Sequence, residues 1–332
     1  GTIHKGRLER QTVVTAVVKG IEAAKSYQVK QEPTAEYITL DKTSFDVGEG
    51  ASTITVSGKS NSPKITFALG SGNDIPIVLP ANYTANGLLT VNGTSIPDDP
   101  GAVDEFIFSV QIPIPKNTVG QRTGKITVTG SIASVVGTVT VTQATSTWTV
   151  TYSKGDYINT INKTSEKINW GNTATAVATL LANTAQYSYS FDGWYEGSTQ
   201  IGTALALSVA NITAARTFEA RGTRTTKSYT ISVSLDSSAA GRGSVSGGGS
   251  YNYGASATVV CTKTNSADVF DGWYEGSTRV STSLSYTFTV TGARTLVAKI
   301  LYLDVTPTSL SYGATGGSQT FKITTNITWK IS

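Results

Sequence analysis

Apolar and polar residues alternate with a period of two through most of the sequence, in short runs separated by glycine, asparagine and proline. This period puts successive side chains on opposite faces of a β-strand. Turn signals such as Gly-Glu-Gly at 48–50 and Asn-Gly at 92–93 mark the ends of the runs. The pattern predicts strands at residues 11–19, 25–31, 37–40, 44–47, 52–58, 64–69, 75–79, 88–91, 106–112, 124–128 and 137–142. Many short strands at this spacing are typical of an antiparallel β-sandwich.

Two prolines interrupt the run at 112–115, which reads Ile-Pro-Ile-Pro. Proline has no backbone N–H and cannot donate a hydrogen bond to a β-ladder. We therefore expect this segment to run along a sheet edge or to leave the sheet.

The segment Phe-Asp-Gly-Trp-Tyr-Glu-Gly-Ser-Thr occurs twice without change, at 191–199 and at 270–278. A match of this length, with a tryptophan in each copy, indicates internal repetition. Each copy follows an alternating strand that begins near Trp148 or Tyr229, and each precedes an Ala-Arg-Thr triplet. The sequence therefore predicts two repeat domains of similar construction, at 146–224 and 225–300.

The shared motif is suited to a β-hairpin. Asp-Gly and Glu-Gly each supply a position that tolerates positive φ, which suits a bulge followed by a tight turn. Phe and Trp would anchor a core too small to be stable without aromatic residues. The alternative is an exposed Trp-Tyr pair that stacks on sugar rings. Identical spacing in both copies favours the folding role, since every copy of a module must fold but need not bind.

Both ends of the chain repeat parts of the block at 36–145. Residues 11–31 follow the pattern of 122–143, and both segments end in Val-x-Gln. Residues 303–323 parallel the stretch from Leu40 to Val56. These similarities predict the C-terminal strands of a preceding domain at 1–35 and the start of a further domain at 301–332. Either the sequence is part of a longer chain, or these strands complete domains in neighbouring chains by strand addition.

Residues 229–298 are similar to the divergent internalin B-repeat. The similarity is carried by Gly243-Ser244-Val245, Gly249-Ser250-Tyr251, Phe270-Asp271-Gly272-Trp273 and the run at 286–290. The first repeat matches from Phe191 onward and departs from the pattern at 158–172. The resemblance implies small β-rich domains that are used in tandem on bacterial surface proteins.

The flanking blocks resemble BACON domains, which are immunoglobulin-like modules of Bacteroidetes and their phages. Residues 325–329 (Thr-Asn-Ile-Thr-Trp) carry the opening pattern of that family and residues 122–143 its closing pattern. Phe67 stands where a tryptophan is expected, and the middle of 36–145 is longer than usual. Together the resemblances imply an all-β protein of tandem antiparallel domains in an elongated rod, and they define architecture rather than chemistry.

Composition and charge exclude several classes of function. Charged residues make up only 14% of the chain, against roughly a quarter in typical domains. The net charge of +4 is small for this length. A nucleic-acid-binding protein would instead carry a stripe of basic residues on its surface. The local basic cluster of Arg216, Arg221, Arg224 and Lys227 is interpreted as solvated linker charge. No apolar run approaches the length that spans a bilayer.

The sequence contains few residues that could form a catalytic or metal site. Its one histidine, His4, lies in a segment that we expect to be frayed, and its one cysteine, Cys261, lies in an apolar run that predicts burial. A histidine–cysteine metal cluster is thereby excluded and a nucleophilic pair disfavoured. Acidic pairs occur at Asp98-Asp99 and Asp104-Glu105, which fit a solvated loop or, as the alternative, a Ca²⁺ site. We predict no catalytic residue, no metal and no cofactor.

Aromatic residues outside the shared motif are the candidates for recognition. Trp170, Tyr187 and Tyr189 are predicted as glycan-binding residues, with packing in the core as the alternative. The whole pattern predicts a non-enzymatic spacer of an extracellular fibre, on a bacterial cell surface or a phage virion. Its partners would be other copies or domains of that fibre, and host or mucin glycans. A dedicated carbohydrate-binding module of a glycan-degrading surface protein is the alternative.

Overall fold

The computed structural model describes residues 3–20 and 25–330. Within these residues the regular structure consists of strands and two 3-10 turns, Pro100–Ala102 and Ser237–Ala239, so the all-β prediction is confirmed. No helix in the described part of the chain has the length and apolarity needed to cross a membrane. The chain divides into two compact units: residues 1–152, 163–176 and 206–218 form the first, and residues 153–162, 177–205 and 219–332 the second. The division passes through the first repeat, whose strands are shared between the units.

The first unit contains a two-stranded hairpin followed by a β-sandwich. The hairpin consists of β1 (Arg10–Ala16) and β2 (Lys25–Gln31). The sandwich is built from β3 (Ile38–Leu40), β4 (Ser44–Val47), β5 (Ser52–Ser60), β6 (Thr66–Leu69), β7 (Asn82–Ala85), β8 (Leu88–Val91), β9 (Phe106–Ile114), β10 (Arg122–Thr129) and β11 (Val136–Gln143). One sheet has the order β4-β11-β10-β6 and the other β3-β5-β9-β7-β8. The β4–β11 pair is parallel, and the other registered pairs of the sandwich are antiparallel.

Alternation along the strands builds the core of the sandwich. In β9 every second residue from Phe106 to Ile114 is buried, as a period of two requires when one face of a sheet is covered. Phe67 lies in this core, with its ring centroid 5.2 Å from that of Tyr83 and 6.1 Å from that of Phe108. The phenylalanine thus fills the aromatic position where a tryptophan was expected.

The strand predicted at 75–79 is wrong. Ile75 and Ile77 are buried and Val78 is exposed, so the alternation is real. The segment nevertheless forms no strand, and Pro76 cannot donate to a ladder. Strand β7 was not predicted. Pro113 stays within β9 opposite Thr53. On the other side of β9, β7 pairs only as far as Ser109. Pro113 therefore lies where β9 has a partner strand on one side only, in agreement with the edge prediction.

The expectation that His4 lies in a frayed segment is also wrong. His4 is only 4% exposed, and its Nε2 donates to the Leu8 carbonyl at 2.6 Å. Main-chain bonds hold this segment on the sandwich: the Arg7 and Leu8 N–H groups donate to the carbonyls of Gly101 and Ala102, each at 2.9 Å. Backbone pairing of this kind leaves no pattern in the side chains, so it could not be predicted from the sequence.

The first repeat consists of strands β12 to β19. They are β12 (Thr147–Lys154), β13 (Ile158–Ile161), β14 (Ser165–Asn169), β15 (Ala174–Leu180), β16 (Tyr187–Glu196), β17 (Thr199–Gly202), β18 (Ala206–Val209) and β19 (Arg216–Thr226). In the first unit, β12 pairs with β14. In the second unit, β16 pairs with β17 and β19, and β13 pairs with β15.

The second repeat lies entirely in the second unit. It consists of β20 (Ser228–Leu235), β21 (Gly243–Ser246), β22 (Gly249–Asn252), β23 (Ser256–Lys263), β24 (Val269–Glu275), β25 (Thr278–Ser281), β26 (Ser285–Thr289) and β27 (Arg294–Leu301). A five-stranded sheet, β22-β20-β27-β24-β25, and a three-stranded sheet, β21-β23-β26, share one core. Trp273 and Cys261 are buried in this core, which confirms the burial predicted for the thiol.

The chain continues into β28 (Leu303–Thr306) and β29 (Lys322–Thr325), which pair antiparallel. Large apolar side chains here are exposed, including Tyr312 at 54% and Trp329 at 51%. A two-stranded sheet has too little apolar surface to bury its own side chains.

Candidate recognition site

The shared motif forms the same hairpin in both repeats. The register shifts between Phe191 and Gly193, and again between Phe270 and Gly272, so each copy carries a β-bulge. The bulge glycines, Gly193 and Gly272, have φ of 142° and 151°, values that residues with a side chain rarely adopt. Both turn glycines, Gly197 and its counterpart in the second copy, have φ of 60°. The bulge and turn predicted from Asp-Gly and Glu-Gly are therefore confirmed.

The motif tryptophans are core residues. Trp194 and Trp273 are both 0% exposed. Each indole N–H donates to a carbonyl eleven residues ahead, Leu205 at 3.2 Å and Leu284 at 3.4 Å, as a buried indole requires. These side chains cannot reach a ligand, so the sugar-stacking alternative for the motif tryptophans is excluded.

Tyr187 and Tyr189 come together with a third tyrosine on the second unit. The ring centroid of Tyr189 lies 6.5 Å from that of Tyr187 and 5.8 Å from that of Tyr157. The guanidinium of Arg224 lies 4.2 Å from the Tyr187 ring centroid and 5.1 Å from that of Tyr157. We call these four residues the tyrosine cluster. Its tyrosines are half-buried and its arginine is exposed, so the cluster presents aromatic and cationic surface to solvent.

The sheet explains how the cluster forms. Tyr189 on β16 lies directly opposite Arg224 on β19, and Tyr187, two residues earlier, shares its face. The loop before β16 fixes this end of the strand, because Asn183 Oδ1 and Thr184 Oγ1 accept the N–H groups of Tyr189 and Tyr187, each at 2.9 Å. Tyr157 has φ of 63°, which is uncommon for an aromatic residue. Tyr157 was not predicted, because its contact with Tyr189 joins residues that are far apart in the sequence.

Trp170 belongs to the first unit and is described separately. It is 36% exposed, and its main-chain N–H donates to the Ser146 carbonyl at 2.9 Å. Its indole covers Gly120, where an added Cβ would lie 3.6 Å from the ring. Trp170 therefore keeps a partly open ring, and its predicted role in glycan binding stays a prediction.

The residues of the basic cluster contact aromatic rings and a main-chain carbonyl, so they are not only solvated linker charges. The guanidinium of Arg216 lies 4.9 Å from the Phe218 ring centroid, and that of Arg221 lies 4.4 Å from the Tyr195 ring centroid. Lys227 Nζ donates to the Thr184 carbonyl at 2.7 Å. Cations over aromatic faces gain roughly 0.5–1 kcal/mol at exposed sites.

One carboxylate of each acidic pair at 98–105 forms an ion pair with the N-terminal segment. Asp99 forms an ion pair with Arg7, and Glu105 forms one with Lys5. The hydrogen bond from Lys5, followed by that from Tyr37, lowers the pKa of Glu105 to about 2. Among the described residues, no group of three or more His, Cys, Asp or Glu side chains could hold a metal ion.

Comparison with known proteins concerns architecture. Among solved structures, the chain is similar to the Bacillus anthracis TIE protein, with 9% identity, a TM-score of 0.31, and coverage of 89% of this chain and 66% of that one. It is also similar to CBD12 from CALX1.2, with 12% identity, a TM-score of 0.20, and coverage of 70% and 83%. The I9-I11 tandem from titin gives 7% identity, a TM-score of 0.17, and coverage of 79% and 98%. The comparison with curated proteins finds no match.

The second repeat is the part of the chain that a family model matches. Residues 233–300 match the divergent InlB B-repeat domain. The matched segment runs from the first strand of the repeat to the last and contains the bulge, the turn and the buried tryptophan described above. The second repeat is thus similar in sequence to the divergent InlB B-repeat domain.

Proposed function

We propose that this chain is a non-enzymatic spacer in a modular, surface-exposed protein, where it holds other domains at a distance from the surface that bears them. The observation that carries the proposal is the construction of the junctions between successive domains. Flexible connections would be long and rich in glycine and serine. Here the connections are short, and side chains on both sides bond across them.

The junction between the sandwich and the first repeat lies in the first unit. The Glu49 carboxylate accepts from the Thr147 hydroxyl at 2.8 Å and also from the Thr147 N–H. These bonds lower the pKa of Glu49. Asn117 is fully buried and donates to the carbonyls of Gly120 and Ala144, each at 2.7 Å. A buried, hydrogen-bonded connection of this kind resists swivelling.

The junction between the two repeats lies in the second unit. β19 ends at Thr226 and β20 begins at Ser228, so Lys227 is the whole linker. The Lys227 N–H donates to the Gln186 carbonyl at 2.9 Å. The Tyr229 hydroxyl donates to the Ala185 carbonyl at 2.5 Å. The second repeat is therefore tied to a loop of the first on both sides of its one-residue linker.

The junction after the second repeat also has a one-residue linker that side chains contact. Tyr302 is the one residue between β27 and β28. The guanidinium of Arg242 lies 3.8 Å from the Tyr302 ring centroid and forms an ion pair with Asp304. Asn326 Nδ2 donates to the Ile300 carbonyl at 2.7 Å. Single-residue linkers braced by side chains favour a stiff spacer.

The setting proposed for this spacer is the outside of a bacterial cell or a phage virion, in a fibre that supports attachment. B-repeat domains are typical of surface proteins, which supports an extracellular location. The resemblance of the flanking blocks to BACON domains favours a Bacteroidetes protein or a phage of these bacteria.

A pair of spin labels tests the stiffness of the junction between the repeats. We would place labels at Ser198 and Ser277, equivalent exposed turn positions of the two motif copies, in a Cys261→Ala background. A stiff junction predicts one narrow distance distribution. A six-residue Gly-Ser insertion after Lys227 should broaden it, whereas the same insertion after Gly292, within the second repeat, should not. A broad distribution in the chain without insertions would refute the spacer proposal.

The tyrosine cluster favours a second function, which is weak carbohydrate binding. Half-buried tyrosine rings beside a guanidinium offer apolar faces and hydrogen-bond donors, the combination that ligand sites use to fix orientation. Repetition along a fibre would raise a weak affinity through multivalency. Binding to host or mucin glycans should fall on Tyr187→Ala or Tyr189→Ala and persist on Tyr312→Ala. Trp170→Ala tests the first unit separately. If no glycan on such an array is bound by the unmodified chain, this second function is ruled out.

A further inference from the structure

Arg242 lies at the corner of the second repeat from which the chain enters β28. Its guanidinium lies 3.8 Å from the Tyr302 ring centroid. Its Nη1 donates to Asp304 Oδ1 at 3.2 Å, and its Nη2 donates to the other oxygen of that carboxylate. A second carboxylate faces the same guanidinium, since Asp268 Oδ1 lies 3.7 Å from Nη1. One arginine therefore lies between a carboxylate of the repeat and a carboxylate of the segment that follows it.

The two carboxylates differ in their exposure to solvent. The Asp304 side chain is 39% exposed, and that of Asp268 is 3% exposed. An ion pair with an exposed carboxylate contributes little to stability, because water solvates both charges when the pair opens. A buried carboxylate that loses its counter-charge is much more costly, since water does not replace the partner. Release of Asp304 therefore costs little, whereas Asp268 requires a cation.

The Asp268 carboxylate has unused capacity to accept hydrogen bonds. Its Oδ2 is buried and has no hydrogen-bond partner. The 3.7 Å between its Oδ1 and Arg242 Nη1 exceeds the length of a hydrogen bond. Lys263 lies nearby but donates to the main-chain carbonyl of Asp268. In the described part of the chain, Arg242 is thus the cation that forms an ion pair with this carboxylate.

The first repeat has the same corner without the second carboxylate. Tyr157 precedes β13 as Arg242 precedes β21, and its ring centroid lies 5.1 Å from the guanidinium of Arg224. The ring and the guanidinium have thus exchanged positions between the repeats. Tyr189, which lies two residues before the shared motif and pairs with Arg224, stands where the second repeat has Asp268. The buried carboxylate is therefore a feature of one corner and is not needed to build the repeat.

We propose that Arg242 is a latch that passes between these two carboxylates. While the junction after the second repeat is closed, Arg242 holds Asp304, and when that junction opens, Arg242 moves onto Asp268. A shift of about 1 Å brings Nη1 from 3.7 Å to the usual length of a charge-assisted hydrogen bond. The transfer leaves neither the guanidinium nor the buried carboxylate unpaired, so the chain swings at this junction while the second repeat stays folded. The latch does not depend on the role of the chain as a spacer.

Spin labels across this junction test whether Asp304 holds it closed. We would place labels at Ser277 and Thr324, which are both exposed, in a Cys261→Ala background. The unmodified junction should give one narrow distance distribution, and Asp304→Asn should broaden it. Asp268→Asn is the matched control and should leave the distribution narrow, because the contact with Asp304 remains. Broadening by both variants, or by neither, would refute the latch.

Thiol labelling of Cys261, which is buried in the second repeat, tests whether Asp268 takes over the guanidinium. Asp304→Asn and Asp268→Asn should each change the labelling rate by less than about threefold, because Arg242 keeps one carboxylate partner in either variant. The double variant should label at least about tenfold faster than the product of the two single effects. Arg242→Ala should accelerate labelling by more than about 100-fold, and adding Asp268→Asn should reverse most of that change. Single effects that simply multiply would overturn the transfer.

A crystal structure of the Asp304→Asn variant gives a readout that does not require the double variant to fold. Arg242 Nη1 should lie within hydrogen-bonding distance of the Asp268 carboxylate, in place of the 3.7 Å of the unmodified chain. An unchanged distance, or a guanidinium turned toward solvent, would refute the proposal.

Discussion

The two copies of the shared motif have one backbone and two sets of polar neighbours. In the first copy, Gln200 Nε2 donates to the Asp192 carbonyl at 2.5 Å and the Thr223 hydroxyl donates to the Asp192 carboxylate at 2.7 Å. In the second copy, Arg279 takes the place of Gln200 and its guanidinium lies 3.2 Å from the Asp271 carboxylate. Bulge, turn and buried indole are unchanged. The glycines and the tryptophan therefore specify the hairpin, and the polar contacts around it are interchangeable.

The copies also provide matched probes of their own stability. Cys261 is buried in the second repeat, and its N–H donates to the Leu284 carbonyl at 2.9 Å. In the first repeat Ala178 holds the same place, with its N–H 3.0 Å from the Leu205 carbonyl. The rate at which a thiol reagent labels Cys261 reports opening of the second repeat. An Ala178→Cys variant in a Cys261→Ala background reports opening of the first.

The largest effect should come from Trp273→Ala. Removal of a buried aromatic side chain costs roughly 3–5 kcal/mol because the cavity does not collapse fully. The free energy of opening of the second repeat should fall by that amount, which corresponds to faster Cys261 labelling by more than about 100-fold. Trp194→Ala is the matched control and should leave Cys261 labelling unchanged. Similar acceleration by both variants would show that the repeats unfold as one unit.

The two motif glycines should differ in their tolerance of alanine. A Cβ at Gly272 would lie 2.5 Å from the Ser281 carbonyl oxygen at a φ of +151°, whereas a Cβ at Gly276 would meet nothing within 4 Å at a φ of +60°. Strain at such φ values costs roughly 1–3 kcal/mol, and at Gly272 the clash adds to it. Cys261 labelling should therefore accelerate more for Gly272→Ala than for Gly276→Ala. Equal effects would mean that conformation alone, and not the close approach of Ser281, selects glycine at the bulge.

Local features of this fold could be predicted from sequence, and non-local ones could not. Asp-Gly and Glu-Gly predicted the bulge and the turn because φ preference is a property of one residue. The segment at 75–79 alternates like a strand, yet whether its backbone finds a ladder depends on distant residues. The tyrosine cluster shows the same limit: the pattern identified Tyr187 and Tyr189 but not Tyr157, and Arg224 was interpreted as solvated.

A smaller effect on the stability of the second repeat is expected from removal of its ion pair between Arg294 and Glu275. Arg294 donates through Nε and Nη2 to the Glu275 carboxylate, at 3.2 Å and 2.9 Å, and its guanidinium lies 4.4 Å from the Phe288 ring centroid. Partly exposed ion pairs contribute roughly 0.2–1 kcal/mol, and the aromatic contact adds a similar amount. Arg294→Ala should therefore cost about 1 kcal/mol and Glu275→Gln less, measured by Cys261 labelling in denaturant. If Glu275→Gln costs more than half as much as Arg294→Ala, the ion pair outweighs the aromatic contact.

The smallest effect should come from making the first copy resemble the second. Gln200→Arg would give Asp192 the partner that Asp271 has in Arg279, whose side chain is 50% exposed. Because an exposed pair gains little over the hydrogen bonds it replaces, the free energy of opening should change by less than about 0.5 kcal/mol. The Ala178→Cys probe measures this change, and high salt should abolish it. A change above about 1 kcal/mol would show that polar neighbours help to specify the hairpin, against the conclusion drawn from its two copies.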